Sequence, residues 1–181
     1  MTAGWLERRF GAAIVWLPFD LHPEYPPEGI PRAQLHARYG ERFHGALRAR
    51  FAEEELAYDP PADVVPRSLK ALQLAELARD AGRHTAVHDR LMDAYWAEGE
   101  NIGDPDVLRR IAADVDLPAD DVERVLAAEE YVPRIEASTQ QALRLGINGI
   151  PGWLLDERLL VLGAQPRAVF EQAVAQLSGD A

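Results

Sequence analysis

Few residues in this sequence can do chemistry on their own. It contains no cysteine, which removes disulfides, thiolate metal ligands and thiol nucleophiles together. Its three serines, Ser68, Ser138 and Ser178, stand in no G-x-S-x-G turn and have no base near them in the sequence. His84 and His88 are four residues apart, the spacing that places two imidazoles on one helical face as a metal pair. Asp80 and Asp89 are close in sequence, but there is no H-E-x-x-H and no third ligand. The pair reads as packed or surface histidines, and no metal or other cofactor is expected. His22, His36 and His44 are isolated and read as structural or exposed. Asp120, Asp121 and Glu123 fall at the start of a helical stretch, where negative charge is favourable. Glu129 and Glu130 follow at its end, and the group reads as a solvated face rather than an acid–base pair. Gly11, Gly40, Gly45 and Gly99 belong to no phosphate-binding pattern. Trp5, Trp16, Trp96 and Trp153 read as core or groove wall. On side-chain types alone, no catalytic residue is assigned.

The elements that would position these groups follow from periodicity. Ala12 to Leu21 (AAIVWLPFDL) is almost continuously apolar and β-prone, which suits a strand buried on both faces. Residues 22–31 (HPEYPPEGIP) hold four prolines and a glycine and read as loop. From Pro31 to about Gly146 the pattern is helical. Leu35 and Tyr39 share one side, and Phe43, Leu47 and Phe51 recur every four residues. Leu69, Leu72 and Leu77 follow, with Gly82 as a stop, then Val87, Leu91, Ala94 and Tyr95. Asp104-Pro105 reads as an N-cap with proline at the first helical position, ahead of Ile111 and Val115. Val122, Val125 and Leu126 mark a short helix after Pro118. A further helix runs from about Pro133 to Leu145. The period then changes. Trp153 to Leu155 and Leu159 to Leu162, parted by Asp156-Glu157-Arg158, predict a β-hairpin. A last helix carries Val169, Phe170, Ala173, Val174 and Leu177.

At 181 residues the chain can bury one real core. Nineteen Lys and Arg against 30 Asp and Glu leave a net charge of −11, which disfavours phosphate backbones, so no nucleic-acid partner is expected. No apolar run approaches the ~20 residues of a membrane span, and no membrane partner is expected. Met1 to Phe10 carries Glu7, Arg8 and Arg9 rather than a signal-peptide apolar core, which predicts a cytoplasmic protein. Lys70 is the sole lysine against 18 arginines, a bias of composition rather than a functional signal.

Two segments carry a resemblance. Trp16-Leu17-Pro18-Phe19-Asp20-Leu21-His22-Pro23-Glu24, with Pro26-Pro27-Glu28-Gly29, is the first. Gly146-Ile147-Asn148-Gly149-Ile150-Pro151, followed by Leu159 to Pro166, is the second. Together they resemble the DsbA-like thioredoxin-fold proteins of the FrnE and 2-hydroxychromene-2-carboxylate isomerase branch. The helical stretch Phe43 to Val132, with His88-Asp89 to Tyr95 and Glu98-Gly99, is similar to that branch too. The resemblance covers most of the chain. It implies an α/β thioredoxin-like fold in which residues 1–30 and 133–181 form a discontinuous thioredoxin-like domain and 31–132 a large helical insertion. It implies thiol-disulfide oxidoreductase or isomerase activity for the family. It places Pro151 at the cis-proline position and makes Ile150, Pro151, Gly163, Ala164 and Gln165 the candidate binding residues, for a peptide, a thiol or a glutathione-like ligand.

The departures from that pattern are as informative. The family's first strand leads into a helix headed by C-x-x-C, or by serine in the isomerases. Aligned on Phe10-Gly11, both would fall before Met1. The family activity is therefore not expected of these residues, whether the gene product starts upstream or the copy is degenerate. A glutathione-dependent isomerase relative and a non-catalytic binding module are the alternatives. The missing first strand would lie between the 12–21 strand and the hairpin. Either the 12–21 strand pairs directly with the hairpin, or a gap remains and invites a strand from another chain. A homodimer or an aggregation-prone chain is the expectation.

Overall fold

The computed structural model describes residues 2–179, with the side chains of 41–44 excepted, so Phe43 and the His44 imidazole lie outside the described residues. The chain forms α1 (Thr2–Phe10), β1 (Ile30–Pro31), α2 (Arg32–Glu53), β2 (Val64–Val65), α3 (Leu69–Asp80), α4 (His84–Trp96), α5 (Pro105–Asp114), α6 (Ala119–Ala127), α7 (Val132–Arg144), β3 (Gly152–Leu155), β4 (Leu159–Leu162) and α8 (Arg167–Gly179). It divides into two compact units, residues 1–17 with 138–181 and residues 18–137, and the division falls inside α7.

The 18–137 unit is a helical bundle built around α3, which packs on α4, α5 and α6. Its core holds Leu74, Ala78, Val87, Leu108, Ile111, Val125 and Ile135, all essentially fully buried. The expected caps are present. The Asp104 side chain accepts from the Asp106 N–H at 2.8 Å with Pro105 at the first helical position, so an otherwise orphaned donor is satisfied. Gly82 follows α3 at φ 69°, a left-handed conformation that glycine adopts without a Cβ penalty. α2 is broken at Gly40 (φ 71°, ψ 171°), so Leu35 and Phe51 belong to two helical segments rather than one stripe.

Two features of this unit go beyond the sequence pattern. Helix α2 starts at Arg32, and just before it Ile30–Pro31 pairs antiparallel with Val64–Val65. That small ribbon is stapled by Arg32, whose guanidinium donates to the Pro61 carbonyl, the Val64 carbonyl and the Tyr95 hydroxyl. The 18–30 loop is also more than a connector. Arg67 pairs with Asp20 at 3.0 Å and donates to the Pro23 and Tyr25 carbonyls at 2.7 and 3.0 Å. These bonds fasten the loop to the start of α3, and so the compact helical unit begins at Pro18.

In the other unit, β3 and β4 form the predicted hairpin, with Gly152 opposite Leu162 and Leu155 opposite Leu159. Asp156 and Glu157 sit at φ 50° and 54°, the hand of turn that matches strand twist. One face of the hairpin packs with α1 and α8: Leu6, Val161, Phe170 and Ala173 are buried, with Trp5, Ile14, Trp153 and Leu155 against them. The Trp153 ring meets Phe170 edge-on at 5.4 Å and lies 6.3 Å from Trp16.

The strand expected over 12–21 is not part of a sheet. Among the described residues the sheets are β1–β2 and β3–β4, so the alternative in which 12–21 pairs with the hairpin is overturned. The segment is nevertheless laid out as a strand would be. Ala12, Ile14 and Trp16 are half-buried, while Ala13, Val15 and Leu17 are exposed. This period of two is that of a pleated backbone. The apolar run read as two buried faces; one face is open.

Candidate functional site

The loop Gly149-Ile150-Pro151 enters β3, and the loop Gly163-Ala164-Gln165 leaves β4, so the hairpin brings both to the same end. The Ile150–Pro151 peptide bond is cis. The Gly163 N–H donates to the Pro151 carbonyl at 2.8 Å, which ties the two loops together. Gly163 has φ 77°, the left-handed conformation in which glycine is unstrained. Gln165 is fixed beside them: its carboxamide donates to the Leu162 carbonyl at 2.9 Å and its N–H to the Gly163 carbonyl at 3.0 Å. Ile150, Pro151 and Ala164 are exposed. The five residues singled out from the sequence thus form one continuous rim.

The Gly163–Pro151 bond also sets which backbone groups face which way. In an antiparallel pair, hydrogen-bonded and non-hydrogen-bonded positions alternate. Trp153 and Leu155 therefore pair toward β4, and the N–H and C=O of Gly152 and Leu154 point toward the open edge of β3. Ile150 is 62% exposed. Its backbone N–H and C=O join no hydrogen bond among the described residues. An extended chain laid along this edge would meet donors and acceptors spaced for strand addition. A substitution at Gly152 would disturb the entry to this edge, since an added Cβ would run into the Ile147 side chain.

A shallow cavity of about 410 Å³ runs along β4 and α8, lined by Leu160, Leu162, Gln165, Val169, Gln172 and Gln176 among others. The sequence pattern showed the buried stripe of α8 and missed this second face. Its signal was Gln172 and Gln176, four residues apart on α8.

The other candidates do not converge on a site. His84 and His88 stack at 5.9 Å with rings 15° from parallel. Burial pulls both imidazoles below their ordinary value, with nearby Arg79 adding to the effect at His84. Among the described residues no group of three or more His, Cys, Asp or Glu could hold a metal ion. His22 stacks on Tyr25 and bonds Glu24, and His36 is half-buried on α2. Two carboxylates of α6 are held by arginines, Asp121 by Arg124 and Glu123 by Arg109, and beyond the helix Glu130 pairs with Arg124. The most buried carboxylate, Glu76 at 1% exposure, is held by Arg79 and Arg134. Arg134 also grips Asp80 and holds its carboxyl below the usual carboxylate range, with the Tyr131 hydroxyl assisting. This network ties α3 to the first turns of α7 and is structural.

Known proteins resolve what the arrangement is. Residues 5–175 match the family described as DSBA-like thioredoxin domain. The chain belongs to the DsbA-like thioredoxin family. The crystal structure of a probable DsbA oxidoreductase from Streptomyces coelicolor superposes with a TM-score of 0.86 at 30% identity, over 96% of this chain and 79% of that one. A 2-hydroxychromene-2-carboxylate isomerase structure shares the fold, with a TM-score of 0.78 at 16% identity over 98% of this chain and 87% of that one. The uncharacterized protein YwbO of Bacillus subtilis is 23% identical over 163 residues, 90% of this chain and 80% of that one. The fold is therefore the DsbA-like thioredoxin fold, with a helical insertion. Among the described residues no helix is long and apolar enough to cross a membrane.

Proposed function

We propose that these 181 residues act as a non-catalytic binding module of the DsbA-like family, taking an extended peptide or thiol-bearing peptide backbone at the Pro151 rim. The observation that carries this reading is the absence of cysteine from the sequence. Thiol-disulfide exchange proceeds by thiolate attack on a disulfide sulfur through a mixed disulfide, and no residue here can form that bond. What the rim offers instead is backbone recognition: the free N–H and C=O of Ile150, the outward groups of Gly152 and Leu154, and the Gln165 carboxamide held nearby. Main-chain pairing of this kind is indifferent to the guest's side chains, and the groove along β4 and α8 would add selectivity.

The purified chain should show no insulin reduction and no dithiol oxidation above a no-protein control. In a nuclear magnetic resonance titration, a short extended peptide should shift the amides of Ile150, Gly152, Gly163 and Gln165. Turnover in a preparation of verified intact mass would overturn the non-catalytic reading, and shifts confined to other residues would overturn the rim. A glutathione-dependent isomerase is the alternative, because the ligand itself would then bring the thiol. It predicts saturable binding of reduced glutathione at the same amides, followed by isomerase turnover.

A further inference from the structure

We propose that the helical unit holds a binding site of its own: the cavity between the start of α3 and the end of α6 takes a small aliphatic zwitterion of the free amino acid class. This inference does not depend on what the Pro151 rim binds.

The cavity has a volume of about 410 Å³, within the roughly 300–1,000 Å³ of small-molecule sites. Every residue that lines it belongs to 18–137. Pro27, Leu69, Leu126 and Ala127 supply an apolar wall. Arg67 lines it too, but its guanidinium is committed to Asp20 and to the Pro23 and Tyr25 carbonyls. The polar groups that remain for a ligand are Lys70, Gln73 and Glu129.

The α3 end suits a carboxylate. The first N–H groups of a helix have no intrahelical acceptor and carry its positive partial charge, and Ser68 makes no side-chain capping bond. Lys70, the sole lysine of the chain, is half-buried there and stands in no ion pair among the described residues. Gln73 is the independent sign of a ligand. It is 3% exposed, and its Oε1 accepts the Tyr131 N–H at 3.3 Å, which fixes the orientation of the carboxamide. Its Nε2 then has no acceptor among the described residues. A buried donor left unmet is costly, and a carboxylate in the cavity would meet it.

The α6 end has the opposite need. Its last carbonyls carry negative partial charge, and Glu129, two residues beyond Ala127, adds a full one. Arg124 in the last turn pairs with Asp121 and Glu130, and Glu129 stands in no ion pair among the described residues. A plain anion would meet Glu129 in this cavity, and a plain cation would meet Lys70. A carboxylate and an ammonium on one short aliphatic skeleton satisfy both, with the skeleton against the apolar wall.

Nuclear magnetic resonance titration of the full chain with leucine, valine and methionine provides the test. At least one should bind saturably and shift the amides of Leu69, Lys70, Gln73 and Ala128. 4-Methylpentanoate and 3-methylbutylamine, each lacking one charge of leucine, should bind several-fold more weakly than leucine. Lys70→Met should weaken binding about tenfold and Lys70→Arg less. Glu129→Gln, at an exposed residue, should weaken it about threefold. Glu157→Gln, in the hairpin turn, should leave it unchanged. A melting curve checks each variant's fold, and if Lys70→Met is unfolded, Glu129→Gln and the two single-charge probes decide. No binding of the three amino acids at millimolar concentration overturns the proposal. So does binding indifferent to both Lys70→Met and Glu129→Gln, or shifts confined to Ile150, Gly163 and Gln165.

Discussion

The helical unit and the sheet-bearing unit solve the same problem in opposite ways. In residues 18–137 the apolar side chains turn inward: eighteen residues make one buried cluster, and the surface carries the whole net charge of the protein. Among the described residues of 1–17 with 138–181, the buried hydrophobic cluster is Leu6, Val161, Phe170 and Ala173, while Val15, Leu17, Leu154, Leu160 and Leu162 meet water. The contrast follows from element type. A helix needs to hide one stripe, and a bundle hides all of them at once. A sheet has two faces, and α1 and α8 cover one. The helical unit thus buries its apolar side chains, and the sheet unit leaves one apolar face exposed.

The sharpest way to break this comparison is a cavity. Leu108→Ala removes a side chain with no exposure and should cost about 2–5 kcal/mol, since the transfer and cavity losses add. Leu154→Ala, at a residue 41% exposed, should cost well under half as much in thermal or denaturant unfolding. Equal costs would mean that the outer face of the hairpin is part of the core after all.

The next effect is polar. Glu76→Gln leaves Arg79 and Arg134 without the buried carboxylate they share and should cost about 1–3 kcal/mol. The capping substitution Asp104→Ala should cost about 1 kcal/mol by orphaning the Asp106 N–H. Both are read from urea midpoints at constant slope. If Asp104→Ala proved the costlier, the network between α3 and α7 would be surface decoration.

How far the sequence spoke for each region differs in the same way. Caps, glycine stops and the hairpin turn are local: Asp104-Pro105, Gly82 and Asp156-Glu157 announce themselves within a few residues. The Pro151 rim was legible through a resemblance, and the structure adds the Gly163 bond that draws its two loops together. Long-range ties were silent. Nothing near Arg67 predicts that it reaches Asp20, Pro23 and Tyr25, and Val64-Val65 is too short to show a period. The 12–21 run misled for a physical reason. Alternation is visible only when the outward residues are polar, and here Val15 and Leu17 are as apolar as Ile14 and Trp16.

Acid should discriminate the two units as well. Burial lowers the pKa of His84 and His88 in the folded helical unit. Between that lowered value and the ordinary value near 6.5, the unfolded chain binds more protons than the folded one. Stability is then complete above the ordinary value and falls as pH drops through this window toward the folded one. His88→Gln should flatten that fall in melting temperature between neutral and mildly acidic pH. If the slope is unchanged, the acid sensitivity comes from elsewhere.

The smallest effect tests the geometry most directly, because it compares neighbouring residues. Ile14 and Val15 are adjacent, similar in volume and both β-branched, so their intrinsic strand preferences nearly cancel. What separates them is direction. Ile14 packs against the buried cluster that holds Leu6 and Phe170, whereas Val15 is 73% exposed. Only area removed from water stabilises the fold, at roughly 25 cal/mol per Å². Val15→Ser should therefore change monomer stability by less than about 0.5 kcal/mol, and Ile14→Ser should cost clearly more. The measurement belongs at protein concentrations where any association has been diluted away, so that folding alone is read. The prediction does not depend on a ladder. A side chain's contribution depends on the side of the backbone from which it projects, and a pleated segment alternates sides whether or not its neighbours pair with it. Equal costs at the two positions would mean that 12–17 is a disorganised coil. A clear difference would show a strand held in register by its side chains alone.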